Sequence, residues 1–361
     1  MRVLFALPGL HRIDRGAEIA FISIAREIAG LGCRVTLTGS GFARDDEPYG
    51  FVHAGSISRT FFRTFPSLPI LRNDCAYEEL TFAPGFFLRY RPTDYDVSLT
   101  CSYPFTNWML RRPVLSGHRP PHVFVTQNGD WPAFAKESEF RFFSCEGLVC
   151  TNPDFYARNR NRWRSALIPN GVDLNRFTPG SEERKAFGLP PNRLIVLMVS
   201  ALIPSKRIEI GIEAVRRLGD AHLVVAGTGP LKSTIETMAA KLLPNRFTLL
   251  SVSPEKMPAL YRSAHVLLHL SKEEAFGNIF LEALACGTPV VAEDSSRVRW
   301  IVGDRQFLTN TDDPDLVATQ IAAAAKGAPE GEADRIAQAA SFSWARIGRM
   351  YKDFLDEVVK Q

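Results

Sequence analysis

No stretch of this 361-residue chain approaches the roughly 18 consecutive apolar residues of a membrane-spanning helix, so no integral span is expected. The six cysteines (Cys33, Cys75, Cys101, Cys145, Cys150 and Cys286) form no Cys-x-x-Cys pair and no Cys/His spacing suited to a metal. A zinc site and a redox dithiol are therefore not expected. Most of the cysteines lie in apolar surroundings and read as buried free thiols of a reducing cytoplasm. The opening MRVLFALPGLHRID is apolar but runs into polar sequence without a small-residue cleavage site, as a first buried strand would and a signal peptide would not. Internal repeats and low-complexity tracts are also missing; the alanine-rich piece Ala318–Ala325 is a good helix and nothing more.

Charge of one sign is scarce too. The net charge is +4, and all of it falls in residues 1–170, which carry 20 Lys and Arg against 16 Asp and Glu; the remainder carries 23 of each. The excess is almost entirely arginine, clustered at 59–91, 111–119 and 158–164. It is too weak for a nucleic-acid binder, and no nucleic-acid motif accompanies it. It suits an anionic acceptor or a lipid surface.

What is present is ordinary soluble composition, 45% apolar and 23% charged, at a length that predicts two domains. Short β-rich runs alternate with helical ones, the pattern of parallel sheets covered by helices. Strands are predicted at 2–7, 34–38, 97–100, 122–126 and 147–150, with an amphipathic helix at 17–31. A break follows at 168–179, where PNGVDLNRFTP has strong turn chemistry. The cycle then restarts with strands at 194–199, 222–226, 248–250 and 265–270 and helices at 208–218, 231–242 and 254–263. The expected fold class is α/β, with two Rossmann-like domains facing a cleft, where ligands bind beyond the strands' carboxyl ends.

The richest segment is SKEEAFGNIFLEALACGTPVV, residues 271–291. Gly277 offers a turn, and Asn278–Ala285 has helix-favouring composition with apolar residues at 279, 281 and 284. The amides of Asn278, Ile279 and Phe280 would then lack intrahelical acceptors and form an anion site at the helix N-terminus. Glu274 stands in the preceding loop and Glu282 about one turn down the helix. Two carboxylates flanking a phosphate site suit hydroxyls on either side of a phosphate, as in a sugar nucleotide.

The order IPNGVD (168–173), LIPSKR (202–207), AGTGP (226–230), EAFGNIFLEALACGTPVV (274–291) and FSW (342–344) resembles the family 4 glycosyltransferases of GT-B fold. The resemblance spans nearly the whole second half, and Arg15-Gly16-Ala17-Glu18 adds a loop and helix start in the first. It implies a retaining, metal-independent hexosyltransferase with no cofactor, using a nucleoside diphosphate sugar as co-substrate; a UDP-sugar is favoured, with a GDP-sugar as the alternative. The implied domains are an acceptor-binding domain at 1–167, a nucleotide-sugar-binding domain at 168–342, and a helix at 343–361 that crosses back to the first domain. The implied catalytic residues are Glu274, holding sugar hydroxyls, and Lys206, on the diphosphate. Gly16, Arg207, Gly277, Asn278, Ile279, Phe280 and Glu282 are implied donor-binding positions, Glu282 taking the ribose hydroxyls, with the base against backbone at 251–253. Asn128 and Asp130 are candidates for acceptor or sugar contact.

Two positions depart from the pattern the resemblance implies. Ala201 stands where an arginine is expected five residues before the lysine, and Asn128 where a histidine is expected; asparagine can hydrogen-bond a hydroxyl but cannot carry a proton at neutral pH. The expected acceptor is a glycan, a lipid-linked molecule or a small molecule, in cell-surface polysaccharide or glycoconjugate synthesis. The expected location is cytoplasmic, with peripheral membrane contact through the first domain left open. The alternatives are a non-catalytic GT-B partner subunit and an epimerase or phosphorylase of the same fold. His118 and His265 read as structural. The Phe-, Tyr- and Arg-rich segment 60–90 reads either as an irregular insertion over the first core or as a flap facing an acceptor or membrane.

Overall fold

The computed structural model describes residues 1–113, 119–134, 138–272, 274–303 and 306–360. His118 lies outside the described residues. The chain divides into two compact units, Met1–Asn170 with the segment from Trp344 onward, and Gly171–Ser343. These breaks fall at 170/171 and 343/344, where the sequence placed them at 167/168 and 342/343.

The first unit holds a seven-stranded, all-parallel sheet. Its strands are β1 (Arg2–Ala6), β2 (Arg34–Gly39), β3 (Gly50–His53), β4 (Val97–Thr100), β5 (His122–Val125), β6 (Gly147–Cys150) and β7 (Ser165–Leu167), in the order β3-β2-β1-β4-β5-β6-β7. Its helices are α1 (Gly16–Gly30), α2 (Asp74–Arg89), α3 (Phe105–Leu110) and α4 (Pro153–Asn159), joined by the C-terminal helix Trp344–Val359. Side chains alternate across a strand, so Val3 and Phe5 of β1 enter one core and Leu4 and Ala6 another. The C-terminal helix contributes Ile347, Tyr351, Phe354, Leu355 and Val358 to the first of these cores, beside Phe21, Ile24 and Ile28 of α1.

Much of the segment at 60–90 is helix rather than irregular insertion. Asn73 caps α2 by accepting from the Ala76 amide at 3.0 Å, and the helix runs through Pro84 to Arg89. Pro84 and Gly85 inside it, and apolar residues on its outward side, obscured the helical period in the sequence. Strands β3 and β7 were likewise not predicted.

The second unit repeats the plan with six parallel strands: β8 (Ile195–Val199), β9 (His222–Ala226), β10 (Phe247–Leu250), β11 (Val266–His269), β12 (Val290–Glu293) and β13 (Phe307–Thr309), ordered β10-β9-β8-β11-β12-β13. Helices α5 (Ile208–Arg216), α6 (Lys232–Leu242), α7 (Met257–Ser263), α8 (Asn278–Ala285), α9 (Ser296–Val302), α10 (Pro314–Gly327) and α11 (Glu332–Ala340) cover both faces. Ile195 and Leu197 join one core; Val196 and Met198 join the other. The two units are thus Rossmann-like, each with a topological switch between the strand that opens it and the strand on its other side. Among the described residues no helix is long and apolar enough to cross a membrane.

Candidate functional site

In the second unit the strand order reverses between β8 and β11, which pair in parallel with Val266 opposite Val196. Ligands of open α/β sheets bind beyond the carboxyl ends of strands at such a switch point. The loops leaving these two strands carry Lys206 and Glu274. The first loop is pinned to its neighbour after β9: the Ser200 amide donates to Ala226 at 3.1 Å and the Leu202 amide to Thr228 at 3.0 Å. The approach is so close that a Cβ on Gly227 would lie 1.8 Å from the Ser200 carbonyl oxygen, which only glycine permits there.

Lys206 closes a single 3-10 turn, Pro204–Lys206, and its ammonium pairs with Glu274 Oε1. His269, the last residue of β11, places Nε2 3.2 Å from the same oxygen. Burial alone would raise the pKa of Glu274, yet the neighbouring imidazole and ammonium outweigh it and hold the carboxyl at about 2. The group is thus ionised at any physiological pH. His269 is itself fixed edge-on against Phe280, with ring centroids 5.0 Å apart.

Gly277 precedes α8 with φ of +95°, and a Cβ there would sit 2.8 Å from the Phe280 ring. Both facts require glycine at the turn. Of the three amides expected to face an anion, that of Phe280 donates to the Gly277 carbonyl at 3.0 Å. Asn278 and Ile279 sit half-buried at the helix start. One turn on, half-buried Glu282 accepts a 2.7 Å hydrogen bond from the hydroxyl of Tyr261 on α7. Burial raises the Glu282 pKa from its ordinary value, with the Tyr261 bond and the charge of Arg176 opposing. Tyr261 is wholly buried, and its hydroxyl titrates far above the usual tyrosine range because of that burial and the facing carboxylate.

Ala259 of α7 helps to line a cavity of about 570 Å³. Leu250, Ser251, Val252 and Ser253, at and just beyond the end of β10, form one wall; Phe187, Lys256 and Ala259 lie opposite or beside them. Apolar side chains with exposed backbone and two hydroxyls suit a flat heteroaromatic ring.

Arg207 adopts a left-handed conformation with φ of +54° at the start of α5. Its guanidinium donates to the Leu270 carbonyl at 3.1 Å, to Thr311 Oγ1 at 2.8 Å and to Asp312 at 2.5 Å. It ties the β11 and β13 loops together. Ala201 is exposed just past β8. His265 accepts from the Ile195 amide at 2.8 Å and faces Arg184 at 3.2 Å, a structural setting.

In the first unit, Gly16 is exposed as the opening residue of α1, behind Arg15, whose guanidinium pairs with buried Glu18. Asn128 is exposed after β5 and contacts Cys101 Sγ at 3.5 Å. Asp130 is buried with both oxygens engaged, one by Arg158 at 2.7 Å and one by Asn159 at 2.6 Å.

No group of three or more His, Cys, Asp or Glu that could hold a metal occurs among the described residues. Asp-x-Asp, a frequent metal-binding tripeptide, occurs twice and is structural in both places. Asp96 pairs with Arg2, Asp313 caps α10, and Asp315 pairs with Arg217. His269 and Tyr261 were not predicted as site residues. A polar residue ending the buried run Val266–Leu268 is the signal that could have found His269.

Residues 180–341 match the family described as "Glycosyl transferases group 1". Two relatives named D-inositol 3-phosphate glycosyltransferase are similar to the chain. That of Mycolicibacterium gilvum is 35% identical over 196 residues, covering 50% of this chain and 44% of its own. That of Nocardia farcinica is 32% identical over 218 residues, covering 53% of this chain and 47% of its own. The chain thus spans less than half the length of these curated relatives. Among solved structures, sucrose-phosphate synthase from Thermosynechococcus elongatus superposes with a TM-score of 0.77 at 19% identity, covering 99% of this chain and 98% of that one. Anabaena HepE in complex with UDP and glucose gives 0.69 at 19% identity, covering 99% and 100%. At these identities the likeness bears on the fold alone, and the fold is GT-B.

Proposed function

We propose, for a chain whose residues 180–341 match the family of group 1 glycosyl transferases, that the second unit is a family 4 donor domain and the whole protein a retaining, metal-independent hexosyltransferase. It moves a hexose from a nucleoside diphosphate sugar, a UDP-sugar before a GDP-sugar, to a glycan, lipid-linked or small-molecule acceptor. The observation that carries this reading is the cluster of Lys206, Glu274 and His269 at the β8–β11 switch point, in front of the α8 N-terminus. The UDP and glucose held by HepE and the name of the curated relatives support it.

In this reading the base occupies the cavity beside 250–253, Glu282 receives the ribose hydroxyls, and the diphosphate lies between Lys206 and the start of α8. Glu274 receives hydroxyls of the sugar, with His269 orienting it. The bond from the sugar's anomeric carbon to the diphosphate oxygen breaks while a bond to an acceptor oxygen forms on the same face. The acceptor's proton passes to the departing diphosphate. Lys206 and the helix-end amides oppose the charge that develops on that leaving group, as a divalent ion would; aimed donors of this kind are usually the largest catalytic contribution. Arg207 stays in the second unit's framework, Gly16 is the first unit's candidate on the donor side, and Asn128 and Asp130 are its candidates for acceptor or sugar contact.

A thermal-shift panel of UDP-, GDP- and ADP-sugars tests the donor, because a ligand near 100 times its Kd adds about 2.7 kcal/mol to the native state. A UDP-sugar is expected to give the largest shift and to turn over in excess EDTA. Lys206→Ala is expected to lower turnover about a hundredfold. Absence of any shift and any turnover with all three donors would leave the non-catalytic partner as the better reading.

A further inference from the structure

Helix α2 turns apolar residues the wrong way for an element that only covers a sheet. Its inward side is satisfied, since Phe82 and Phe86 are buried with Leu4, Ala6 and Leu110. Leu80, Pro84, Phe87 and Leu88 fall at i, i+4, i+7 and i+8, a single helical stripe, and that stripe faces outward. Leu80 is 39%, Phe87 49% and Leu88 78% exposed. Beside the first turns of the helix, Phe65 packs on Tyr77 at 5.4 Å and Phe61 on Phe65 at 5.6 Å, yet Phe61 remains 62% and Phe65 44% exposed. A contiguous exposed apolar surface of this kind marks an interaction site.

The charges around it are one-sided. Residues 57–91 contain five arginines, at 59, 63, 72, 89 and 91, and three acids. Two of those acids, Glu78 and Glu79, are buried, Glu78 against Arg12. The third, Asp74, is half-buried in the first turn of α2, at the end remote from Phe87 and Leu88. Arg63 and Arg89 are exposed, and Arg112 lies over the Phe87 ring at 4.1 Å with a 2.8 Å bond to the Tyr90 carbonyl. Aromatic and aliphatic groups edged by arginine match the boundary of an anionic bilayer, where rings enter the acyl border and guanidinium groups meet lipid phosphates.

We infer that the outward face of α2, with Phe61 and Phe65, docks the first unit on an anionic lipid bilayer. The inference goes beyond the transferase reading and does not depend on it. It is tested without any donor or acceptor, by co-flotation of the full chain with vesicles of phosphatidylcholine, alone or with about 30 mol% phosphatidylglycerol. Binding to the anionic vesicles is expected at about 50 mM salt, with weakening at about 500 mM and little binding to the neutral ones. Phe87→Ser/Leu88→Ser is expected to lower binding at least about tenfold. Arg63→Gln/Arg89→Gln should reduce binding to the anionic vesicles alone. Leu316→Ser, at a 45% exposed leucine on α10, is the control and should leave binding unchanged.

Failure of the wild-type chain to float with anionic vesicles at low salt overturns the inference. So does a concentration-dependent dimer that the Phe87/Leu88 variant abolishes while vesicles bind neither protein, since the face would then be a contact between copies. Should the serine variant unfold, the arginine variant decides: unchanged anionic binding overturns the inference, and reduced binding supports it. Donor-induced thermal shifts are expected to be identical in all variants, so loss of vesicle binding and loss of the transferase reading remain distinguishable.

Discussion

Replacing Glu274 by Gln keeps the side chain's shape and removes its charge. The carboxyl is held at about 2 against an ordinary value of 4.5, although burial opposes its ionisation, because His269 and Lys206 face it. At 1.36 kcal/mol per pH unit, that difference corresponds to about 3 kcal/mol of native-state stability in the ionised form. The folded value lies below the unfolded one, so this contribution is fully present above pH 4.5 and is lost as pH falls through that value toward 2. Glu274→Gln is therefore expected to destabilise the chain by about 2–3 kcal/mol at pH 7, and the gap should close progressively between pH 4.5 and 2. Calorimetric melts of both proteins across pH 2.5–7 measure it. The functional arm separates roles: Lys206, freed from its partner, should bind UDP at least as tightly as in the wild type, while turnover falls at least about a hundredfold. A stability gap that stays constant from pH 7 to 3, or a variant more stable than wild type at pH 7, would refute the electrostatic account of the cluster.

Three further perturbations have definite outcomes. Gly277→Ala meets both a left-handed φ and the Phe280 ring, so it should cost about 1–3 kcal/mol and weaken nucleotide binding; a melting temperature equal to wild type would show that the turn relaxes freely. Glu282→Ala and Tyr261→Phe should each lower affinity for the free nucleoside diphosphate roughly tenfold by titration calorimetry, and together by much less than the product, because hydroxyl and carboxylate act as one unit. Glu79 in α2 is fully buried, and burial raises its pKa to about 8 while donors from Thr106 oppose. The folded state then keeps a proton that the unfolded chain loses above 4.5, so stability falls as pH rises from about 4.5 to 8. Glu79→Gln should remove that slope, leaving stability near wild type at pH 4 and higher by up to about 4 kcal/mol at pH 8; a parallel pH profile would sink the assignment.

How much of this was legible in the sequence depends on how locally each feature is determined. Val196–Met198 and Val266–Leu268 are continuous apolar runs because a parallel strand is buried on both faces, and such runs announce themselves. Gly277 and the helix after it were legible for a similar reason: a left-handed turn and a helix start each leave a mark within a few residues. The pairing of Lys206 with Glu274, 68 positions apart, was reachable only through resemblance, since no local pattern encodes which loops meet. His269 and Tyr261 went unseen for the same physical reason. Their partners are fixed by the strand order β8-β11-β12 and by the packing of α7 against α8, neither of which a one-dimensional pattern specifies. Helix α2 was hidden by a different conflict. An outward stripe of Leu80, Phe87 and Leu88 around Pro84 violates the rule that a surface helix hides its apolar side, so a period-based reading discards it. Where local rules and structure disagree in this way, a surface with work other than packing is the first explanation to test, and α2 is such a place in this chain.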